Sequence, residues 1–383
     1  MTHHEHANGY HPASLARRVV RAVVPILSVT LAAMLIVAAS LLAISPGQPR
    51  PFLDGEGNPL KGSISEKTFV GINGTRQGMF IKGRDVHNPV LLYLHGGMPD
   101  YFLTQSFPTG LEDYFTVVWW EQRGSGLSYS DTLSRETLTV EQMLSDTKAM
   151  SLYLRERFGQ DKIYLMGHSG GTFIGIQAAA RWPELYKAYL GVAQMTFQLK
   201  SEKLAYEYML SRFARNGNSA MVRKLESAPV TLEDGVPAGY LALRDNAMHA
   251  LGIGTMHDMQ SVVTGIFFPS LMCRDYTLWE KVNLWSGKSH SGVSALWDTM
   301  LATNLAKLVP ELQIPVYFFH GVFDYTVSYP LARDYFEKLK APLKGFYTFQ
   351  ESAHSPMFEE PERNCQILKE DVLTGKNSLA DKH

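Results

Sequence analysis

One serine of this sequence stands in the setting of a nucleophile. Ser169 is the centre of the pentad Gly-His-Ser-Gly-Gly at 167–171, which follows the apolar run 162–166 and precedes a helix-forming stretch at 170–181. A strand, a tight turn and a helix in this order hold a serine on a sharp bend with its hydroxyl exposed. The glycines permit that bend because they carry no Cβ atom. We therefore expect Ser169 to attack a carbonyl carbon.

A serine hydroxyl needs a base that removes its proton, and the base needs an acid that orients it. Downstream of Ser169, Asp324 follows the apolar run 314–319 and His354 follows the run 345–349. The carboxyl ends of parallel strands lie at one edge of a sheet, which is where such sheets bind ligands. The sequence thus predicts Ser169 as nucleophile, His354 as base and Asp324 as orienting acid.

Other titratable residues have weaker contexts. His320 ends a strand just before Gly321, a position typical of packing or of turn formation, and His168 adjoins the nucleophile and is expected to shape the turn. Four further candidates do not follow a strand, namely His257, His290, Asp298 and Glu311.

Acyl transfer also needs N–H donors aimed at the oxyanion that develops on the carbonyl oxygen. The backbone N–H of Gly170 is one candidate, because it opens the helix that follows Ser169. The second is expected from the loop His-Gly-Gly-Met at 95–98, from either Gly97 or Met98.

The elements around these residues alternate between strands and helices. Unbroken apolar runs typical of strands covered on both faces occur at 89–94, 115–120, 162–166, 188–192, 314–319 and 345–349, after a short hairpin at 69–73 and 79–82. Helices are predicted at 140–158, 170–181 and 331–339. This alternation predicts an α/β fold with a mostly parallel sheet flanked by helices. The stretch 197–296 is rich in Met and aromatic residues and interrupts the rhythm, so we expect a helical cap between two core parts, 63–196 and 297–383.

The N-terminal region predicts a membrane anchor. Residues 22–44 carry no charge and are long enough to cross a bilayer as a helix. Arg17, Arg18 and Arg21 precede them, so the tail 1–21 is expected in the cytoplasm and the rest outside. The alternative is a cleaved signal peptide, which would leave a secreted protein, since Val-Ala-Ala at 37–39 resembles a cleavage site. Four Pro and four Gly at 45–62 predict an extended linker.

Composition excludes several classes of protein. The 383 residues are 45% hydrophobic and 19% charged, with a net charge of −1, which excludes a disordered chain and gives no electrostatic reason to bind nucleic acid. Cys273 and Cys365 form no C-x-x-C spacing, so we expect no zinc site, and whether they pair stays open. The predicted chemistry needs no metal or cofactor; the sequence leaves the oligomeric state open.

Five motifs together resemble the α/β-hydrolase fold: 95–97 (His-Gly-Gly), 121–128 (Glu-Gln-Arg-Gly-Ser-Gly-Leu-Ser), 167–171, 321–324 (Gly-Val-Phe-Asp) and 353–354 (Ala-His). They are most similar to the prolyl aminopeptidase, or proline iminopeptidase, branch over residues 65–373. The resemblance implies an eight-stranded core with a helical cap between the sixth and seventh strands. It also implies cap carboxylates that hold a substrate amino group, for which Glu202 and Glu207 lie in the right region.

Three departures from the family pattern leave the substrate open. Met-Pro-Asp at 98–100 replaces the usual Pro-Gly, Glu121 replaces an Asp, and the pentad around Ser169 has the form found in many esterases and lipases. The block 121–124 is expected to brace the site, with Arg123 forming an ion pair. We expect a serine hydrolase acting on a small ester or amide, either an N-terminal-proline aminopeptidase or a carboxylesterase or lactonase. A non-catalytic membrane-tethered binding protein is a more remote alternative, because every motif of the site is present.

Overall fold

A computed structural model describes residues 12–290 and 295–382 of the chain. One eight-stranded sheet forms its centre, with the strand order β1-β2-β4-β3-β5-β6-β7-β8. The first two strands pair antiparallel, β2 pairs antiparallel with β4, and all the remaining pairs are parallel. The strands are β1 (Ile64–Ile72), β2 (Thr75–Gly83), β3 (Val90–Leu94), β4 (Thr116–Glu121), β5 (Ile163–His168), β6 (Tyr186–Val192), β7 (Val316–Gly321) and β8 (Lys344–Phe349).

Helices flank the sheet and form the cap between β6 and β7. In chain order the α-helices of the described residues are α1 (Pro12–Ala43), α2 (Val140–Phe158), α3 (Gly170–Arg181), α4 (Gln198–Arg215), α5 (Ser219–Glu226), α6 (Ala238–Ala250), α7 (Phe268–Met272), α8 (Leu278–His290), α9 (Trp297–Ala302), α10 (Leu305–Leu308), α11 (Tyr329–Lys338), α12 (Pro356–Glu359) and α13 (Pro361–Ile367). The sheet topology and the helical insertion confirm the predicted α/β-hydrolase architecture.

Both faces of the central strands are buried, which explains their unbroken apolar sequences. Side chains alternate between the two faces of a strand. Leu92 and Leu94 of β3 therefore pack into one hydrophobic core, while Leu91 and Tyr93 pack into the other. Burial on both sides fixes the register of β3, because a shift by one residue would exchange the two sets of side chains.

The cap has a hydrophobic core of its own. Met209 and Phe213 of α4 pack there with Leu225 of α5 and with Tyr240 and Met248 of α6. Many of the Met and aromatic residues of this segment thus serve to hold the cap helices together.

Residues 45–62, called the strap below, are held against the folded domain. Pro46 forms a β-bridge with Thr277 of the cap, and the Gly47 N–H donates to the carbonyl of Arg274 at 3.1 Å. The Phe52 ring lies under the Lys82 ammonium, 5.2 Å from the ring centroid. The composition predicts an extended tether, whereas these contacts with β2 and the cap give the strap a defined path.

The N-terminal helix α1 stands apart from the domain. Its segment Val20–Ala43 is long and apolar enough to cross a membrane, and the most apolar part of it buries nothing against the rest of the protein. A soluble core helix would bury such a surface. Length and composition alone are shared by membrane spans and signal sequences.

Candidate active site

Ser169 occupies the sharp turn between β5 and α3. Its φ of 54° and ψ of −124° form a strained conformation for a residue with a side chain. Two backbone hydrogen bonds hold it there, from the Ser169 N–H to Val192 at 3.0 Å and from the Thr172 N–H to Ser169 at 2.9 Å. The turn also needs Gly171, because a Cβ atom at that position would lie 2.1 Å from the carbonyl oxygen of Leu94. The predicted strand, turn and helix are all present.

His354 and Asp324 form a buried pair beside this turn. The Nδ1 atom of His354 lies 2.9 Å from Oδ2 of Asp324. The second carboxylate oxygen of Asp324 accepts the Val327 N–H at 2.9 Å, and His320 Nε2 lies 3.1 Å from Oδ2. Asp324 is therefore fixed from three sides, and His320, which sequence reasoning assigned to packing, also contacts this carboxylate.

The electrostatics of the pair suit a neutral base beside an ionised acid. Burial opposes the charge of Asp324, but His354 and His320 outweigh it and hold the pKa of the carboxyl group well below its usual range. Burial lowers the pKa of His354, against the opposing pull of Asp324. At neutral pH the imidazole is thus free to accept a proton at Nε2 while Asp324 orients it through Nδ1.

Ser169 and His354 line one cavity of about 930 Å³ under the cap. Gly97 and Gly170, the two predicted oxyanion donors, line the same cavity. Much of the remaining wall is apolar and comes from both the core and the cap, with Leu103, Met195, Leu241, Met248, Ile266 and Met300 among its residues. The cavity can hold a substrate with a sizeable apolar part next to the serine.

The loop after β3 packs directly on the turn that holds Ser169. A Cβ atom on Gly96 would lie 2.8 Å from the Cβ atom of Ser169, so only glycine allows this approach. His95 anchors the loop, because its Nε2 atom accepts the Gln122 N–H at 3.1 Å and its carbonyl accepts from the Gln122 side chain at 2.9 Å. Burial lowers the pKa of His95 to about 4, which keeps this acceptor neutral.

Asp100 is a site residue that sequence reasoning did not single out. Its Oδ2 atom accepts the Tyr93 hydroxyl at 2.6 Å and lies 3.0 Å from Nδ1 of His168. The other ring nitrogen of His168 lies 3.0 Å from the carbonyl oxygen of His354. Burial disfavours the charged ring, but Asp100 outweighs it and raises the pKa of His168. A protonated His168 can donate to both acceptors, so it joins the loop after β3 to the loop that carries His354.

The sequence signal that could have identified Asp100 is its departure from the family pattern. Met-Pro-Asp at 98–100 supplies a carboxylate where the family has Pro-Gly, and His168 stands beside Ser169 where the family has Gly. The two departures compensate each other in space, since Asp100 and His168 form a pair.

The two predicted cap carboxylates lie in different places. Glu202 is fully buried, and Arg244 binds both of its oxygens, with Nε and Nη2 at 2.7 Å. Tyr240 and Gln198 also donate to Glu202, at 3.0 and 2.8 Å. Arg244 and Gln198, rather than Glu202, line the cavity.

Glu207 does not reach the cavity that holds Ser169. It forms an ion pair with Lys203, one turn away on the solvent side of α4, and lines a separate surface groove. The structure therefore does not bring Glu207 to Ser169, because its place on α4 directs it away from the core.

The block 121–124 braces the site from behind. Arg123 binds Asp146 of α2 through two hydrogen bonds, of 2.6 Å from Nε and 3.0 Å from Nη2, with both side chains buried. Glu121 accepts the Leu127 N–H at 2.5 Å and the hydroxyl of Tyr276 from the cap. Burial raises the pKa of Glu121 to about 8. These contacts agree with the predicted ion pair of Arg123 and with a bracing role for this block.

Neither cysteine forms a disulfide bond within the described part of the chain, where Cys273 is buried. No group of three or more His, Cys, Asp or Glu side chains among the described residues is arranged to hold a metal ion.

Comparison with known proteins gives one family. The family model described as "alpha/beta hydrolase fold" matches residues 89–361. A Bacillus subtilis (strain 168) protein named "Probable aminopeptidase YbaC" is 31% identical over 307 residues, which cover 79% of this chain and 95% of that protein.

Two solved structures share the fold. The proline iminopeptidase of Mycobacterium smegmatis has a TM-score of 0.57 at 13% identity, over 81% of this chain and 100% of its own. The proline iminopeptidase-related protein of Thermus thermophilus has a TM-score of 0.54 at 18% identity, over 81% of this chain and 98% of its own. The chain belongs to the α/β-hydrolase family and is similar to its proline iminopeptidase branch.

Proposed function

We propose that the protein is a serine hydrolase in which Ser169 is the nucleophile, His354 the general base and Asp324 the acid that orients it. The observation that carries the proposal is the meeting of three features beside one cavity. Ser169 lies on a strained turn, His354 lies in the same cavity wall, and Asp324 holds the far side of the imidazole at 2.9 Å.

The proposed reaction runs through an acyl-enzyme. The Ser169 oxygen attacks the substrate carbonyl carbon while its proton passes to His354 Nε2. The N–H groups of Gly97 and Gly170 stabilise the oxyanion, and His354 then protonates the leaving amine or alcohol as the bond to it breaks. Water attacks the Ser169 ester with His354 again as base, which releases the acid and restores the serine. Asp324 stays ionised throughout.

The first candidate substrate is a short peptide with N-terminal proline. The name of the Bacillus relative and the fold of the two iminopeptidase structures support it. The cap must then bind a free amino group, and Glu202 is already bound by Arg244. A substrate amino group could reach Glu202 only by displacing the Arg244 guanidinium.

The second candidate is an uncharged ester or lactone, and the cavity wall favours it. Apolar side chains from the core and the cap surround Ser169, and the Arg244 guanidinium lies close to the Glu202 carboxylate. Such a wall suits an apolar acyl group better than an ammonium ion.

A paired assay tests the proposal and separates the two candidates. The full chain and its Ser169→Ala variant are measured on a prolyl arylamide and on a short-chain p-nitrophenyl ester, with the exposed Ser130→Ala as matched control. We expect Ser169→Ala to lower turnover of the cleaved substrate by at least about 10³-fold. Cleavage of the arylamide supports an aminopeptidase, and cleavage of the ester alone supports an esterase. Equal rates for Ser169→Ala and the wild type would contradict the role of Ser169.

We also propose that α1 remains uncleaved and anchors the enzyme in a membrane. Arg17, Arg18 and Arg21 on its N-terminal side support a cytoplasmic N-terminus and a hydrolase domain on the opposite side. The length of the uncharged run 22–44 supports retention, because the apolar core of a cleaved signal peptide usually spans only about 7–15 residues.

A further inference from the structure

The outer face of the cap exposes a cluster of large apolar side chains. Trp279 is 72% exposed, and five further residues are between 41% and 55% exposed: Val263, Phe267, Phe268, Met272 and Val282. All six lie close together along the chain, in the π-helical turn Val263–Phe267, in α7 and in the first turns of α8. We call them the apolar cap face. Exposed aromatic and apolar side chains grouped in this way mark a surface that contacts something other than water.

The apolar cap face is fixed to the end of α1. The Lys281 ammonium, next to Val282 in the chain, donates to the Ile44 carbonyl at 3.2 Å and to the Ser45 hydroxyl at 2.8 Å. The same ammonium donates at 2.6 Å to the carbonyl of Leu271, which precedes Met272. A helix that spans a bilayer ends at the membrane surface, so residues bound to its last turn lie at that surface too.

The apolar cap face also backs onto the cavity of Ser169. Val262 and Ile266 line the cavity, while Val263 and Phe267 of the same turn are exposed. Helix α8 also reaches from the apolar cap face to the cavity, with Trp279 exposed near its start and Lys288 in the cavity wall near its end. A thin layer of cap therefore separates the outer apolar surface from the nucleophile.

We propose that the apolar cap face docks on the phospholipid bilayer that holds α1, and that the cavity takes an amphiphilic ester of an acyl chain from that bilayer. The proposal rests on the proposed serine chemistry and on membrane insertion of α1. Ser169 attacks the ester carbonyl carbon, the C–O bond to the alcohol breaks, and the alcohol leaves with the proton that His354 took from the serine. Water then attacks the acyl-enzyme, the bond between the acyl carbon and the Ser169 oxygen breaks, and the acyl chain leaves as a carboxylic acid. A bilayer fits this surface better than a protein partner, because α1 already places it there and because Trp and Phe favour the membrane interface.

Site-specific labels test the docking without any substrate. An environment-sensitive fluorophore is attached at Trp279→Cys in the full chain, in a Cys365→Ser background because Cys273 is buried, within nanodiscs of brominated phosphatidylcholine. Leu31→Cys in α1 is the reference for insertion, and Leu152→Cys, an exposed apolar position on α2, is the matched control. We expect the labels at positions 279 and 31 to be quenched at least about twofold more than the label at 152. Quenching at 31 without quenching at 279, or none at either position, would overturn the proposal.

Turnover tests the substrate class. The variant Phe268→Ser/Met272→Ser/Trp279→Ser is compared in nanodiscs with the control Leu152→Ser/Leu232→Ser/Leu308→Ser, whose positions are also apolar and exposed. The measured quantity is turnover of a long-chain acyl ester in the bilayer relative to turnover of a soluble short-chain ester. We expect this ratio to fall at least about tenfold in the first variant and to stay near the wild-type value in the second. An equal ratio in both variants would overturn the substrate class. Absence of any ester turnover in the wild type would also overturn the substrate class; the comparison of Ser169→Ala with the wild type on the prolyl arylamide tests the serine chemistry separately, and the label experiment would still decide the docking.

Discussion

In the proposed site, Asp324 and His354 have different charge states: the carboxyl group is ionised and the imidazole is neutral. The carboxylate gains hydrogen bonds from His354, from the Val327 N–H and from His320, which together outweigh the cost of burying its charge. His354 has one carboxylate partner in a buried setting and stays neutral. The pair therefore presents an oriented, unprotonated Nε2 to the cavity.

The variant Asp324→Asn tests the role of the ionised carboxylate. The amide can orient the imidazole but favours the wrong tautomer, so we expect kcat to fall about 10⁴-fold while the melting temperature changes little. Asp298→Asn, at an exposed position on α9, is the control that should leave kcat unchanged. A loss of less than about tenfold for Asp324→Asn would contradict the assigned role.

The pH profile gives a second test at this scale. A general base works only when it is neutral, so activity falls as the pH drops through the pKa of His354. Because burial lowers that pKa, we expect the acid limb of kcat/KM to be centred below about 6.5, the ordinary histidine value. The measurement is kcat/KM between about pH 4 and pH 9 on the cleaved substrate. A limb centred above the ordinary value would contradict a neutral, buried His354.

The backbone positions of the residues around Ser169 were predictable from sequence where a motif fixes the local backbone. The turn at Ser169 and the loop positions of Asp324 and His354 follow from strands that end just before them. The Asp100–His168 pair was not predictable in this way, because it joins residues 68 apart along the chain. Arg244 lies 42 residues from Glu202, so no local pattern indicated that this carboxylate was already occupied.

At the scale of the elements, a buried ion pair between Arg123 and Asp146 connects the end of β4 to α2. Asp146 receives hydrogen bonds from Arg123, and also from Asn73 and Gln77 near the hairpin of β1 and β2. The Asp146 carboxylate therefore ties α2, β1 and β2 to the block 121–124, which supports the loop after β3.

Asp146→Ala should destabilise this connection strongly. The change leaves the buried Arg123 guanidinium without its partner, so we expect the free energy of unfolding to fall by about 3–5 kcal/mol. Asp113→Ala removes the exposed partner of Arg84 and should cost less than about 1 kcal/mol. Urea unfolding of both variants is the measurement. Equal losses would show that the buried pair does not support the fold.

The bounds of the strands and helices were predictable because buried segments need apolar residues, and these are visible in the sequence. Apolar runs located every parallel strand to within a few residues, and the helices at 140–158 and 170–181 coincide with α2 and α3. The path of the strap was harder to predict. Pro and Gly show that residues 45–62 do not form a regular helix or strand, but they do not show which surface these residues contact.

At the scale of the whole molecule, the strap couples the N-terminal helix to the cap. Lys281 binds Ile44 and Ser45 directly after α1, and Thr277 pairs with Pro46. On the proposal that α1 spans a membrane, these contacts also fix the position of the cap relative to that membrane.

An uncleaved anchor predicts how the protein behaves in cells. With an epitope tag at the N-terminus, we expect the tag and the hydrolase domain on one polypeptide that detergent releases and alkaline carbonate does not, because α1 buries its apolar surface in lipid. A soluble domain that lacks the tag would show instead that the helix is a cleaved signal sequence.

The central claim is that Ser169 is the activated nucleophile, and a covalent probe tests it most directly. The full chain is treated with a fluorophosphonate, which reacts with activated serines, and the modified residue is located by peptide mass spectrometry. We predict a single adduct on Ser169 and a much slower reaction in His354→Ala, because the base that accepts the Ser169 proton is gone. An adduct on another residue, or an unmodified Ser169 in the wild type, would contradict the account.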